Sequence, residues 1–287
     1  MIKNYIVLRV YGGSMKGGRN ARMIKTVVFI IFIVLVGYVY FQVSFTKLCF
    51  AEYKASKVAS GEKINILQIS DFHDKSSNND LLLKSIKSLS PHLIVITGDF
   101  IDRGTEDLRN VYNFIDKLKK INPNIFFICG NHEWSNENRE ELLEGLEERK
   151  VYVLNNANLV VTINNTKINL CGVDDCNGKQ GDLRKAFNGV DKEYFTILLS
   201  HEPNIAMKNK EIPADLIISG HTHGGQVRVP FLGALVAPGQ GYLPKYTKGF
   251  YKVNKNIVYI DSGVGTSNSP IRFLNRSQVS FITIEGK

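Results

Sequence analysis

The sequence predicts an α/β protein, a two-sheet sandwich flanked by helices, behind one N-terminal transmembrane helix. Three observations carry this expectation. Between residues 63 and 150, apolar β-branched runs alternate with segments whose apolar residues recur at helical spacing. From residue 151 onward short strand-like runs dominate, which fits two packed sheets better than one doubly wound sheet. Residues 26–45, TVVFIIFIVLVGYVYFQVSF, carry no charge, and at ~1.5 Å rise per residue they can span a hydrocarbon layer of roughly 30 Å.

The charge pattern belongs to that N-terminus. The chain has a formal net charge of +9, but residues 1–51 hold seven Lys or Arg and no acid, leaving 29 basic and 27 acidic residues elsewhere. The body is nearly neutral, so no nucleic-acid-binding face is expected. Six of the seven basic residues precede the apolar run, and the positive-inside rule puts residues 1–25 in the cytoplasm as a basic tail. Residues 26–45 are then a single-pass anchor, and residues 52–287 form one domain on the far side. A cleaved signal peptide ending near Ala51 is the alternative; against it, the run is long and no small-x-small site comes soon after. Lys47 and Leu48 before Cys49 do not make a lipoprotein box. The stretch before Met23 has no periodic pattern and reads as a disordered tail or as sequence upstream of the true start.

Along the chain, a short linker leads to the strand 63–70, a helix over 78–89 capped by Asn78 or Asn79, and the fully apolar strand 93–99. An amphipathic helix over 107–121 closes at Pro123; a buried strand, 125–131, and a helix, 138–150, come next. Strands are then expected at VYVL, LVVTI, KINLCGV, FTILLS, LIISG, QVRV, GFYKV, NIVYI and VSFITI, with short helices near 182–187 and 203–208. Cys129 reads as a small buried hydrophobe, whereas Cys171 and Cys176 are close enough in sequence to bridge in an oxidising exterior. No CxxC pair suggests a thiolate zinc site.

The informative pattern lies at the end of each apolar strand. QIS ends in Asp71-Phe72-His73, VITG in Asp99, FICG in Asn131-His132, LLS in His201 and IISG in His221-Thr222-His223. Strand ends of such sheets converge on a ligand-binding crevice. Five of the six histidines fall in this set; His92, at the other end of its strand, reads as a surface turn residue. Asp, Asn and His without Cys suit Mn2+ first, with Fe or Zn2+ as alternatives. Asp71, His73, Asp99, Asn131, His201, His221 and His223 are seven candidate ligands, more than one tetrahedral site needs. Two ions ~3.5–4 Å apart could share a carboxylate, hold a bridging hydroxide and clamp a phosphoryl group.

The ordered blocks DFH, GDFIDRG, GNHE, SHEP and GHTHGGQ closely resemble those of the calcineurin-like metallophosphoesterases, over nearly all of residues 62–285. PFLGALVAPGQGYLPKYTKGFY and GVGTSNSPIRFLNR look like a narrower branch of membrane-associated bacterial phosphohydrolases, including UDP-2,3-diacylglucosamine hydrolases. The resemblance implies the metallophosphoesterase sandwich and one ion on Asp71, His73 and His223. It puts a second ion on Asn131, His201 and His221, with Asp99 bridging. His132 would be the general acid, kept oriented and protonated by Asp102, and Arg103 would contact phosphate unless it forms a salt bridge on the following helix. Glu133 would support the loop rather than react. Phe72 replaces the usual Leu between the first Asp and His, and Arg19 and Arg22 are too far apart for a twin-arginine signal.

Other residues stay open at this level. Asp174 and Asp175 belong either to a polar loop or to the site. PFLGALVAP is either a core hairpin or an exposed patch meeting membrane or acyl chains, and Arg272 and Arg276 are candidates for phosphate contact. Together these expectations describe a metal-dependent phosphoric ester or anhydride hydrolase, a phosphodiesterase among the options, on the bacterial cytoplasmic membrane. Its catalytic domain is extracytoplasmic, and its substrate carries phosphate and is lipid-linked or phospholipid-like. UDP-linked lipid intermediates are cytoplasmic, which stands against that substrate. The alternatives are a phosphoprotein phosphatase and a non-catalytic metal-binding module; nothing in the sequence speaks to oligomeric state.

Overall fold

The computed structural model describes residues 16–75, 79–175, 180–266 and 269–287, and the chain divides into two units, Met1–Tyr40 and Phe41–Lys287. Helix α1 (Lys16–Ser44) makes up the described part of the first unit and its last residues enter the second. Over Asn20–Ser44 it is long and apolar enough to cross a membrane.

In the second unit, the segment read as a linker is instead strand β1 (Lys47–Ala55), paired parallel with the C-terminal strand. Its mixed residues, KLCFAEYKA, sit half-buried at a sheet edge and give only a weak periodic signal. Then come β2 (Lys63–Ile69), α2 (Asn79–Leu89), β3 (Leu93–Thr97), α3 (Arg109–Lys119) and β4 (Ile125–Ile128). After a single helical turn α4 (Asn131–Trp134), α5 (Arg139–Glu148) and β5 (Tyr152–Val153) complete this half. Asn78, one of the two expected caps of α2, lies outside the described residues.

The second half runs β6 (Ala157–Ile163), β7 (Thr166–Val173), α6 (Leu183–Ala186), β8 (Phe195–Ser200), α7 (Asn204–Lys208) and β9 (Leu216–Ser219). Four two-residue strands come after it: β10 (Arg228–Val229) with β11 (Gly233–Ala234), and β12 (Val236–Ala237) with β13 (Gly241–Tyr242). The chain closes with β14 (Gly249–Val253), β15 (Asn256–Ile260) and β16 (Gln278–Gly286).

Two six-stranded sheets result, ordered β1-β16-β2-β3-β4-β5 and β14-β15-β9-β8-β7-β6. They face each other through Ile66, Val95 and Ile128 of the first and Leu170, Leu199 and Ile218 of the second. The outer face of the first sheet is covered by α2, α3 and α5 through residues such as Leu83, Ile115 and Leu146. On the second sheet's outer face, Ile205 and Ala206 of α7 pack with Leu198 and Ile217. Burial on both faces is why the central strands are continuously apolar. Strands β2, β3 and β4 run parallel, as do β7, β8, β9 and β15, so each set delivers its following loops to one edge.

His92 lies at the opposite end of β3 from Asp99, where its Nδ1 accepts the Asn65 amide at 3.0 Å. Cys129 and Cys171 are buried free thiols, pushed up by burial, Cys171 to about 12. Cys176, its expected partner, lies outside the described residues.

Candidate metal centre

The loop after β2 presents Asp71 and His73, that after β3 Asp99, and the start of α4, just past β4, Asn131 and His132. The loop after β8 presents His201, and that after β9 His221 and His223. Donor atoms of Asp71, His73 and His223 lie within 4.8 Å of one another, and so do those of Asp99, His201 and His221. All six residues are buried. The Asp99 carboxylate stands between the groups, with Oδ2 3.1 Å from His201 Nε2 and 3.9 Å from His73 Nε2. His201 Nδ1 sits 2.8 Å from the Thr97 carbonyl, so that nitrogen is the donor and Nε2 is the one turned to Asp99. His221 Nδ1 is 3.2 Å from that same Nε2.

The backbone here is under strain. Asp71, His73, Asp99, His221 and His223 all have φ between 48° and 68°, a region that non-glycine residues rarely adopt. Such residues persist only where their surroundings over-determine them. Glu133 is one such surrounding: its buried carboxylate accepts the amides of Asp99 (2.8 Å), Phe100 (2.6 Å), Ile101 (3.1 Å) and Gly130 (2.7 Å). It supports two loops at once and is spent doing so. Gly130 completes the junction, since a Cβ there would collide with Asp99 Oδ1.

His132 Nε2 lies 3.9 Å from Asp99 Oδ2, and its Nδ1 lies 2.5 Å from Asp102 Oδ1. Burial pushes the His132 imidazole down toward its neutral form, with Asp99 and Asp102 pulling against it. Arg103 is exposed, and its backbone amide donates to Asp102 Oδ1. Asp174 and Asp175 are buried rather than part of an open polar loop, and Asp174 accepts the Trp134 indole N–H at 2.6 Å.

The two arginines considered for phosphate contact are placed otherwise. Arg272 is fully buried, and its Nη2 donates to the carbonyls of Ser262, Gly263 and Gly265. Arg276 lies 4.6 Å over the Phe41 ring and donates to the Phe45 carbonyl.

Residues 64–225 match the calcineurin-like phosphoesterase family. The chain belongs to that family. This family member is a metal-dependent phosphoester hydrolase. It is 30% identical to the uncharacterized metallophosphoesterase YkuE of Bacillus subtilis (strain 168), over 81% of this chain and 83% of that protein. It is 28% identical to YkoQ of the same strain, over 77% of this chain and 83% of that protein. Among solved structures, the NAD nucleotidase NadN of Haemophilus influenzae aligns with a TM-score of 0.51 and 20% identity. That alignment covers 71% of this chain but 46% of the nucleotidase, and it shows the fold alone.

The residues of this phosphoesterase fit divalent ions on their own evidence. Among the described residues, buried ring nitrogens of His73, His221 and His223 and Oδ1 of Asn131 have no hydrogen-bond partner. Buried polar atoms are nearly always paired, and a coordinated ion would supply what is missing here. The donor set of carboxylate, carboxamide and imidazole is the chemistry such ions take.

Several supporting residues were not singled out from sequence. Ser70 Oγ donates to Asp71 Oδ2 at 2.5 Å, and the His221 amide lies 3.1 Å from both Asp71 oxygens. Asn275 Nδ2 donates to the His223 carbonyl at 2.6 Å. Glu202 is fully buried 3.8 Å from His221 Nε2, and burial pushes its carboxyl up to about 7. The SHEP block contained this signal; the partners of Asn275 are too far away in sequence to have one.

Proposed function

We propose that the protein is a membrane-anchored phosphohydrolase that uses two divalent ions to cleave phosphate ester or pyrophosphate bonds outside a bacterial cytoplasmic membrane. Asp71, His73 and His223 would hold one ion and Asn131, His201 and His221 the other, with Asp99 shared. The observation that carries this reading is the meeting of two buried donor triads at one carboxylate. Bound there, the ions (Mn2+ first, Fe or Zn2+ next) would neutralise phosphoryl charge and acidify the attacking water.

The chain's own residues complete the reaction. As water oxygen bonds to phosphorus, losing its proton to solvent, and the bond to the leaving group breaks, His132, whose protonated form Asp99 and Asp102 favour against its burial, donates a proton to the departing oxygen. Asp102 fixes the ring for that transfer, and Arg103, exposed beside it, contacts the substrate phosphate. Glu133, Ser70 and Asn275 hold the loops in place.

The finer reading is a lipid-linked or phospholipid-like substrate met on the outer side of the membrane, where the cytoplasmic UDP-linked lipid intermediates are not at hand. It is supported by the apolar helix and the apolar hairpins beside the metal loops. The test is hydrolysis of a panel of mono-, di- and pyrophosphate esters, lipid-linked and soluble, with Mn2+ present. Asp99→Ala and His221→Ala should each abolish metal-dependent turnover; full activity in either would overturn the two-ion reading. A clear preference for soluble esters would overturn the lipid-linked one alone.

A further inference from the structure

The last turn of α1 belongs to the second unit and is built into it. The Gln42 side-chain carbonyl accepts the Asn275 amide at 3.1 Å, and its backbone carbonyl accepts the Ser277 amide at 2.9 Å. Val43 O accepts both Lys75 Nζ (2.7 Å) and Ser277 Oγ (2.9 Å). Just past the end of the helix, Phe45 is held by Arg276. This exit is therefore no loose tether. Its position on the unit is set by the loop at 272–277.

That same loop begins an apolar ribbon. The Phe273 main chain pairs with Gln226 and Arg228, the Leu235 amide with the Val227 carbonyl, and the Leu243 amide with the Leu235 carbonyl. Four chain segments thus lie side by side at strand spacing, roughly 4.8 Å apart. Their large apolar side chains stay in solvent: Phe231 is 111% exposed, Tyr242 88%, and Leu232, Leu243, Ile271 and Leu274 are exposed too. Ala234 and Ala237 carry the buried side of the two hairpins. So PFLGALVAP is an exposed hairpin and not a core one. Soluble monomers rarely keep so many large apolar groups together in water. Lys245, also exposed, and the half-buried Arg228 and Lys248 flank them, the pattern of aromatic and cationic residues that suits an anionic headgroup layer.

We propose that the ribbon formed by residues 227–243 and 271–274 is a docking surface for a phospholipid bilayer. The proposal rests on the membrane-anchor reading, which it deepens. If residues 26–45 span the bilayer, Phe45 emerges at its surface, and the loop that holds Phe45 brings the ribbon there with it. A bilayer is favoured over a second copy because chain continuity already delivers this edge to lipid. The ribbon also backs the metal loop directly. Asn275 bonds the His223 carbonyl, and a Cβ on Gly225 would collide with Ala234 Cβ. A Cβ on Gly239, between β12 and β13, would lie 3.4 Å from His221 Nε2. Docking would hold the donor cluster beside the headgroup layer, where a lipid phosphate sits.

The test uses the full chain reconstituted in phosphatidylcholine–phosphatidylglycerol vesicles with brominated acyl chains. Phe231→Trp and Phe32→Trp are read against the lone native tryptophan, Trp134. Docking predicts added emission from Phe231→Trp that is blue-shifted and quenched by bromine near the headgroup end. Quenching of Phe32→Trp by bromine deep in the chains reports the anchor separately. Quenching at 32 without quenching at 231 overturns docking and leaves the anchor standing; no quenching at either overturns both. A blue-shifted but unquenched Phe231→Trp means that a second copy covers the ribbon, which also overturns the proposal.

Discussion

Glu133 accepts the backbone amide of Asp99 at 2.8 Å, and through the same oxygen the amide of Gly130 at 2.7 Å. One carboxylate therefore ties the loop after β3 to the loop after β4. Glu133→Gln keeps the size but presents N–H to N–H on one side. Each buried amide left unpaired costs about 1–3 kcal/mol. The variant should melt at a lower temperature and retain less metal, measured by thermal unfolding and elemental analysis. A wild-type melting point with full metal content would show that the four amides do not depend on the charge.

His132 and Asp102 should separate chemistry from metal binding. His132→Ala removes the proposed proton donor, and turnover should fall roughly 10²–10⁴-fold at unchanged metal content. Asp102→Asn keeps a partner 2.5 Å from the ring but weakens its orientation, so a smaller fall in kcat with little change in KM is expected. Esters with good leaving groups should be hurt least by His132→Ala. If they suffer as much as poor ones, the proton-donor role is wrong.

Chelation should destabilise the fold. A ligand at about 1,000 times its Kd stabilises the native state by roughly 4 kcal/mol. Adding a chelator to the loaded protein should lower the melting point, and Asp99→Ala should respond much less. Equal shifts in both proteins would place the chelator's effect elsewhere.

Thiol reactivity offers a check on the core. Burial lifts Cys171 to about 12 and Cys129 well above the usual thiol range. At pH 8 the thiolate fraction of Cys171 is on the order of one in ten thousand. Neither thiol should be alkylated in the native protein, and both should react on denaturation, read by peptide mass mapping. Rapid native labelling of Cys171 would contradict the packing of β7.

The strands around the site were legible because they are buried on both faces and end abruptly in polar residues, as LIVIT does before Gly98 and Asp99. Two kinds of element were not. β1 is a half-buried edge strand of mixed composition, so its pairing with β16 outweighs a weak local pattern. The two-residue strands β11 to β13, unlike β10 within the expected QVRV run, are too short to show periodicity, and Val236 and Tyr242 among them are exposed. At the site, candidate ligands could be found from residue type and position. The contacts of Arg272 could not, because three backbone carbonyls, and no acid, claim its Nη2. In the GHTHGG turn, Gly224 has φ of 61°, and a Cβ there would meet Asn275 Oδ1 and Ser262 Oγ at 2.5 Å. The glycine is required by the loop behind it.

The five left-handed residues at the centre cost about 1–3 kcal/mol apiece unless something offsets them. Glu133, Ser70 and Asn275 supply part of that offset, and ions bound by the same donors would add to it, which links metal uptake to the stability of the fold. Competition among divalent metals follows a fixed affinity order in most sites, so what a site holds depends heavily on what is at hand when it closes. For this chain, the supply of ions at the place and moment of folding would then decide which metals it works with.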